Sequence, residues 1–178
     1  TVSQVAASIT LAPTSLNFAS VDDTTTIVAT VRDAGGGAIP SPSPTVTWAT
    51  SAEGVATVSS AGLVTAIADG TATITATSGS LTATATATVS QVAASITLSP
   101  TSLSFASVDD TTTIVATVRD AGGSVISSPT VTWATSNDAV ATVSSAGLVT
   151  AVANGTVTIT ATSGSVNATA AEHGRAHV

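Results

Sequence analysis

The chain reads as one passage written twice. Thr1 to Leu11 returns as Thr88 to Leu98, and from Thr1 to Val31 against Thr88 to Val118 only Ala12/Ser99 and Asn17/Ser104 differ. Solenoid repeats run to about 20 to 50 residues and depend on their neighbours for a core, whereas each copy here has about 85 residues and can close its own. The repetition therefore predicts two like domains in a row, residues 1–89 and 90–170, with 171–178 as a C-terminal tail outside them. So near an identity points to duplication within a longer array.

Composition narrows the class. Val, Ala, Ile and Leu carry the apolar content and Thr and Ser fill most of the rest, which suits a pleated, half-buried surface better than a helix. Mean hydropathy is +0.52, yet no apolar run approaches the roughly 18 residues that cross a bilayer, so membrane insertion is not expected. The formal net charge is -7, Lys is absent and only Arg32, Arg119 and Arg175 are basic besides His. Nucleic acids and anionic membranes recruit clustered Lys or Arg to displace counterions, so neither is an expected partner. With no Cys, disulfides and thiol chemistry are both excluded.

Along the chain, Thr25 to Val31 and Thr71 to Thr77 alternate Thr with small or branched apolar residues at period two, the pattern of strands with one face on a core. Gly, Pro, Asp and Ser clusters cut these runs at Ala12-Pro13-Thr14, Asp33 to Gly37, Ile39 to Pro44, Ser59 to Gly62, Asp69-Gly70 and Ser78-Gly79-Ser80. About seven short strands per copy result, which describes an antiparallel β-sandwich with Greek-key connections. Each copy holds one Phe and one Trp, Phe18 and Trp48 then Phe105 and Trp133. All four are read as core anchors, with each Trp on a central strand facing the opposite sheet.

The stretches Val46 to Ser51, Val55 to Ala66 and Gly70 to Gly79, repeated from Val131 to Gly164, together with the opening Ser8 to Leu16, resemble the bacterial immunoglobulin-like group 2 domain. That family often places Gly where this chain has Asp22 and Asp109, just before the second strand. The resemblance implies two tandem immunoglobulin-like Greek-key β-sandwiches. It also implies the settings of intimin-like and invasin-like adhesins, secreted polysaccharide enzymes and phage structural proteins, where the domain acts as a spacer or adhesion module. Fold analogy does not carry a ligand.

Chemistry is sparse in the repeats themselves. They contain no His and no Cys, so a Ser there has no base to activate it, and the two His residues stand at His173 and His177. An enzyme is not expected, and catalytic and cofactor-binding residues are read as none. Asp22, Asp23, Asp109 and Asp110, with Asp33 and Asp120 further on, are the carboxylates a Ca²⁺ ion would use, and calcium is the one cofactor they leave open. Neighbours on an extended strand point to opposite faces, so solvated turn residues are the favoured reading. Arg32 and Arg119 are read as surface ion-pair partners of a neighbouring strand, and His173 and His177 as members of a disordered tail.

Three functions follow from these readings. The first is a non-enzymatic spacer, a stalk of tandem domains on the bacterial cell surface, in the extracellular space or on a virion, whose partners are neighbouring domains of the same array. The second is a fibre or coat subunit joined to other copies of itself by strand exchange. It rests on long Thr/Ala/Val edge strands without Lys and on a last strand left incomplete after Val166, whose groove would take Val2 to Leu11 of a neighbour. The third is a carbohydrate-binding adhesin using Asn137-Asp138 and the Pro40 to Pro44 loop, with a cell-surface glycan or protein as its partner. The junction Leu81 to Ile96 contains no Gly or Pro, which predicts a short, β-prone linker.

Overall fold

The structure, a computed structural model, describes residues 4–40 and 44–174. These divide into two compact units between Gln91 and Val92. All regular structure among the described residues is β, with no helix. The first unit contains β1 (Ala6–Ala12), β2 (Ser15–Phe18), β3 (Thr24–Thr26), β4 (Val28–Asp33), β5 (Thr47–Thr50), β6 (Ala56–Val58), β7 (Leu63–Ala66), β8 (Gly70–Ser78) and β9 (Leu81–Val89). The second repeats the series as β10 (Ser95–Ser99), β11 (Ser102–Leu103), β12 (Thr111–Thr113), β13 (Val115–Arg119), β14 (Thr132–Thr135), β15 (Ala141–Val143), β16 (Leu148–Ala151), β17 (Gly155–Ser163) and β18 (Val166–Gly174).

Each unit has nine strands rather than seven, because two expected strands are interrupted. The first is split at Pro13, across a cis peptide, so that β1 pairs with β4 while β2 joins the other sheet. The second is split at Ile27, whose N–H donates to the carbonyl of Gly62 at 2.8 Å while its side chain, 1% exposed, enters the core. One sheet has the order β2-β9-β8-β5, and the facing strands are β1-β4 and β3-β7-β6. All pairs are antiparallel except β2 with β9, and β11 with β18 in the second unit.

Alternation does what period two predicts. On β8, Ala72, Ile74 and Ala76 are buried while Thr71 and Thr73 face solvent, and on β9 Ala85, Ala87 and Val89 are buried while Thr82, Thr84 and Thr86 are not. Leu16, Phe18, Ile27 and Val64 complete the first core, and Leu103, Phe105, Ile114 and Val149 stand in the second. Full burial of Ile74 or Ile159 contributes about 1.5–3 kcal/mol relative to exposure.

Two expectations about edges are corrected by this topology. The long Thr/Ala strands are flanked on both sides over part of their length: β8 lies between β9 and β5, which pairs it over Ile74 to Thr77, and β9 between β8 and β2, which pairs it over Thr86 to Val89. The sheet edges are the short β2 and β5, so Trp48 and Trp133 stand on edge strands and not on central ones. The last strand is also complete. β18 runs from Val166 to Gly174 against β17, which fills the groove expected after Val166 and draws Ala171, Glu172, His173 and Gly174, expected in a tail, into the sheet.

Candidate functional site

The turn carboxylates build their own loops. Asp22 and Asp109 adopt φ of 67° and 68°, the left-handed region in which Asp is tolerated and Gly is at no disadvantage. Their N–H groups donate to the carbonyls of Ala66 and Ala151 at 3.0 and 2.9 Å. The sharp turn aims the next carboxylate back at the chain. Asp23 Oδ2 accepts the Ser20 N–H at 3.2 Å, and Asp110 Oδ2 accepts those of Ala106 and Ser107 at 3.1 and 2.9 Å. Among the described residues no group of three or more His, Cys, Asp or Glu side chains could hold a metal ion.

The β4 hairpin follows the same economy. Asp33 Oδ1 accepts the N–H groups of Gly35 and Gly37 at 3.0 and 2.9 Å, and Oδ2 accepts Gln4 Nε2 at 2.9 Å. The bond from Gly37, then that from Gln4, holds the Asp33 carboxyl below its ordinary pKa by stabilising the charged form. Arg32 does not reach across to a neighbouring strand. Its guanidinium donates to the carbonyl of Gly36 at 3.0 Å, and Arg119 donates to that of Gly123 at 2.8 Å, so each Arg closes its own hairpin. The Ser residues are engaged likewise: Ser59 Oγ accepts the N–H groups of Ala61 and Leu63, and Ser51 Oγ that of Thr73.

Phe18 and Phe105 are buried, while Trp48 and Trp133 are half-buried and pack on the core from the rim. Each indole lies over a glycine. A Cβ on Gly62 (φ 80°) would stand 2.9 Å from Trp48 Cζ2 and collide with the carbonyl of Ile27, and Gly147 repeats this with Trp133 and Ile114. Beside Trp48 a shallow groove of about 240 Å³ is lined by Thr26, Val28, Ala29 and Val46 among others, below the usual range of small-molecule sites. Asn137 Oδ1 accepts the Ala139 N–H at 3.1 Å within its own loop. Pro42 of the Pro-rich loop and His177 lie outside the described residues, and His173 is exposed on β18.

Sequence reasoning missed one residue. Glu172 is 1% exposed, at the strand position that Ala87 holds in the first unit, and neither carboxylate oxygen has a hydrogen-bond partner among the described residues. The available signal was the repeat alignment itself, which sets Ala171-Glu172-His173-Gly174 against Thr86-Ala87-Thr88-Val89.

With two like sandwiches on view, relatives can be compared. The family model described as bacterial Ig-like domain (group 2) matches residues 5–89 and again residues 92–172. The chain belongs to this family. No curated protein matches the chain. Among solved structures, domains 1–6 of the surface layer protein SbsC are similar at 24% identity and a TM-score of 0.47, over 98% of this chain and 29% of that one. The Yersinia pseudotuberculosis adhesin InvE is similar at 16% identity and a TM-score of 0.49, over 94% of this chain and 58% of that one. The Escherichia coli adhesin FdeC is similar at 19% identity and 0.47, over 96% and 66%. The chain thus spans less than two thirds of the SbsC fragment and of InvE.

Proposed function

We propose that these two group 2 Ig-like domains are a non-enzymatic spacer segment of a bacterial extracellular or cell-surface protein. Their role is geometric: to hold a neighbouring functional part away from a surface. The observation that carries this reading is that a matching set of Asp and Ser side chains in the two copies is committed to holding the local backbone. Asp23, Asp33, Ser51 and Ser59 are bonded to backbone N–H groups of their own unit, as are Asp110, Asp120, Ser136 and Ser144 in the second. A virion surface would suit the same role. Partners in this reading are adjacent Ig-like domains of an array.

A second reading, self-assembly by strand addition, is favoured by one feature. The pairing of β2 with β9 covers only Thr86 to Val89, and that of β11 with β18 only Ala171 and Glu172, so the edges of Leu81 to Ala85 and Val166 to Ala170 lie beyond those ladders. Small-angle scattering with inline light scattering over a concentration series separates the two. A particle of one-chain mass at every concentration is the expected result. Growth into larger species with concentration would replace the spacer reading by the assembly one.

A further inference from the structure

The end of the last strand in the second unit rests on a carboxylate that has no electrostatic reason to be inside. β18 is held at this level by two ladders: Leu103 with Glu172 on the β11 side, and Val157 with Glu172 on the β17 side. The equivalent level of the first unit brings together Leu16, Ala87 and Ala72. Two of the three side chains are therefore larger in the second unit, and one is acidic. An ionised carboxylate without partners is among the costliest groups to bury, and it either takes up a proton or leaves.

Among the described residues, nothing on the surrounding elements compensates the charge. The strands β10, β11 and β17 that pack on β18 carry no ionisable residue. Asp109, Asp110 and Asp138 stand on turns and can only repel a second anion, Asp120 caps its hairpin at Ser124, and Arg119 is bonded to Gly123. His173, next along the strand, is exposed on the opposite face and acts only through its charge.

We propose that Glu172 makes the end of β18, Ala171–Gly174, an acid-closed latch: protonated, it keeps the strand seated between β11 and β17, and ionised, it releases these four residues from the sheet. Release reaches further than the latch itself. β11 has no other partner strand, and β14 pairs with β17 only from Ile159 to Thr162, so Gly155 to Val157 lose their one ladder when β18 leaves. The rest of β18, Val166 to Ala170, stays paired to Ile159–Ser163, whose first four residues β14 holds on the other side.

The direction of the pH dependence follows from burial, which raises the Glu172 pKa, the charge of His173 lowering it by less. A carboxyl with a raised folded-state pKa binds its proton more tightly when the latch is closed. Closure is therefore fully favoured below the ordinary Glu value and is lost as pH rises from there through the raised value. Each unit by which the pKa is raised changes the opening equilibrium about tenfold.

Amide hydrogen exchange read by NMR on the intact chain at pH 4.5 and pH 7.5 tests this, with rates corrected for intrinsic exchange. Ladder amides among Ala171–Gly174 and Gly155–Val157 are expected to lose protection at the higher pH, while those among Thr86–Val89 do not change. Glu172→Ala, which restores the residue of the first unit, should abolish the difference, and the isosteric Glu172→Gln should do the same. Equal protection at both pH values would overturn the proposal. So would a loss spread evenly over all amides of the second unit, or the same pH dependence persisting in both variants.

Discussion

The two units differ most visibly in the loop before the Trp strand and least visibly at the last strand, and the smaller change has the larger consequence. Residues Gly35 to Pro44 become Gly122 to Pro129, two residues shorter and different in sequence. The hairpin beneath is nonetheless the same, with the N–H of Asp33 bonded to Gly37 and that of Asp120 to Ser124, and an Arg closing each turn. At the last strand the backbone register is conserved and Ala87 becomes Glu172. Loop residues face water, where changes cost little, whereas a core position prices a charge by the solvation it has lost.

That comparison can be pressed with paired substitutions. The largest effect is expected from the buried rings. Phe18→Ala should cost the first unit about 3–5 kcal/mol and leave the second untouched, and Phe105→Ala should do the reverse. Chemical denaturation followed by the backbone amide signals of each unit would show one transition displaced and the other in place. A shift of both would mean that the units unfold together.

Next come the glycines beneath the indoles. Gly62→Ala and Gly147→Ala each combine a left-handed backbone with a collision against a Trp ring and a carbonyl, and should cost about 2–4 kcal/mol in their own unit. Tryptophan emission, read in each variant, should shift for one indole only. Equal stability of wild type and variants would mean that the Trp rim is looser than the structure has it.

The smallest effect separates the two acidic turns. Asp110 accepts two N–H groups and Asp23 one, and each such bond is worth about 1 kcal/mol. Asp110→Ala should therefore destabilise its unit by more than Asp23→Ala does, by about 1 kcal/mol, in matched thermal melts. An inverted order would point to a role for Asp23 beyond its turn.

Much of this was legible in the residues. Duplication announces two domains, and the Thr/Ala alternation of Thr71 to Thr77 by itself places Ala72, Ile74 and Ala76 on one face, which is the buried one. What escaped was order across the sheet. Period two says which face of a strand is buried and nothing about which strand lies beside it, so it cannot tell the sheet edge that Trp48 occupies from the sheet's middle. Asp22 was legible as a departure from Gly, but only the φ of 67° explains why Gly is favoured there. The place of Arg32 is not legible in the sequence, because a long side chain folds back on a nearby carbonyl as readily as it reaches a distant carboxylate.

By itself, the sequence determined the β class, the two-domain division and the inward faces of the long strands, because these depend on local periodicity and repetition. Only the tertiary structure decided which strands are edges, that the turn carboxylates are consumed by backbone N–H groups, and that Glu172 lies inside. The first and the last depend on neighbours far apart in the chain, whereas the turn bonds span two to four residues and depend on the local backbone angles. Burial of a charge, in particular, is a property of everything around it and of no residue alone.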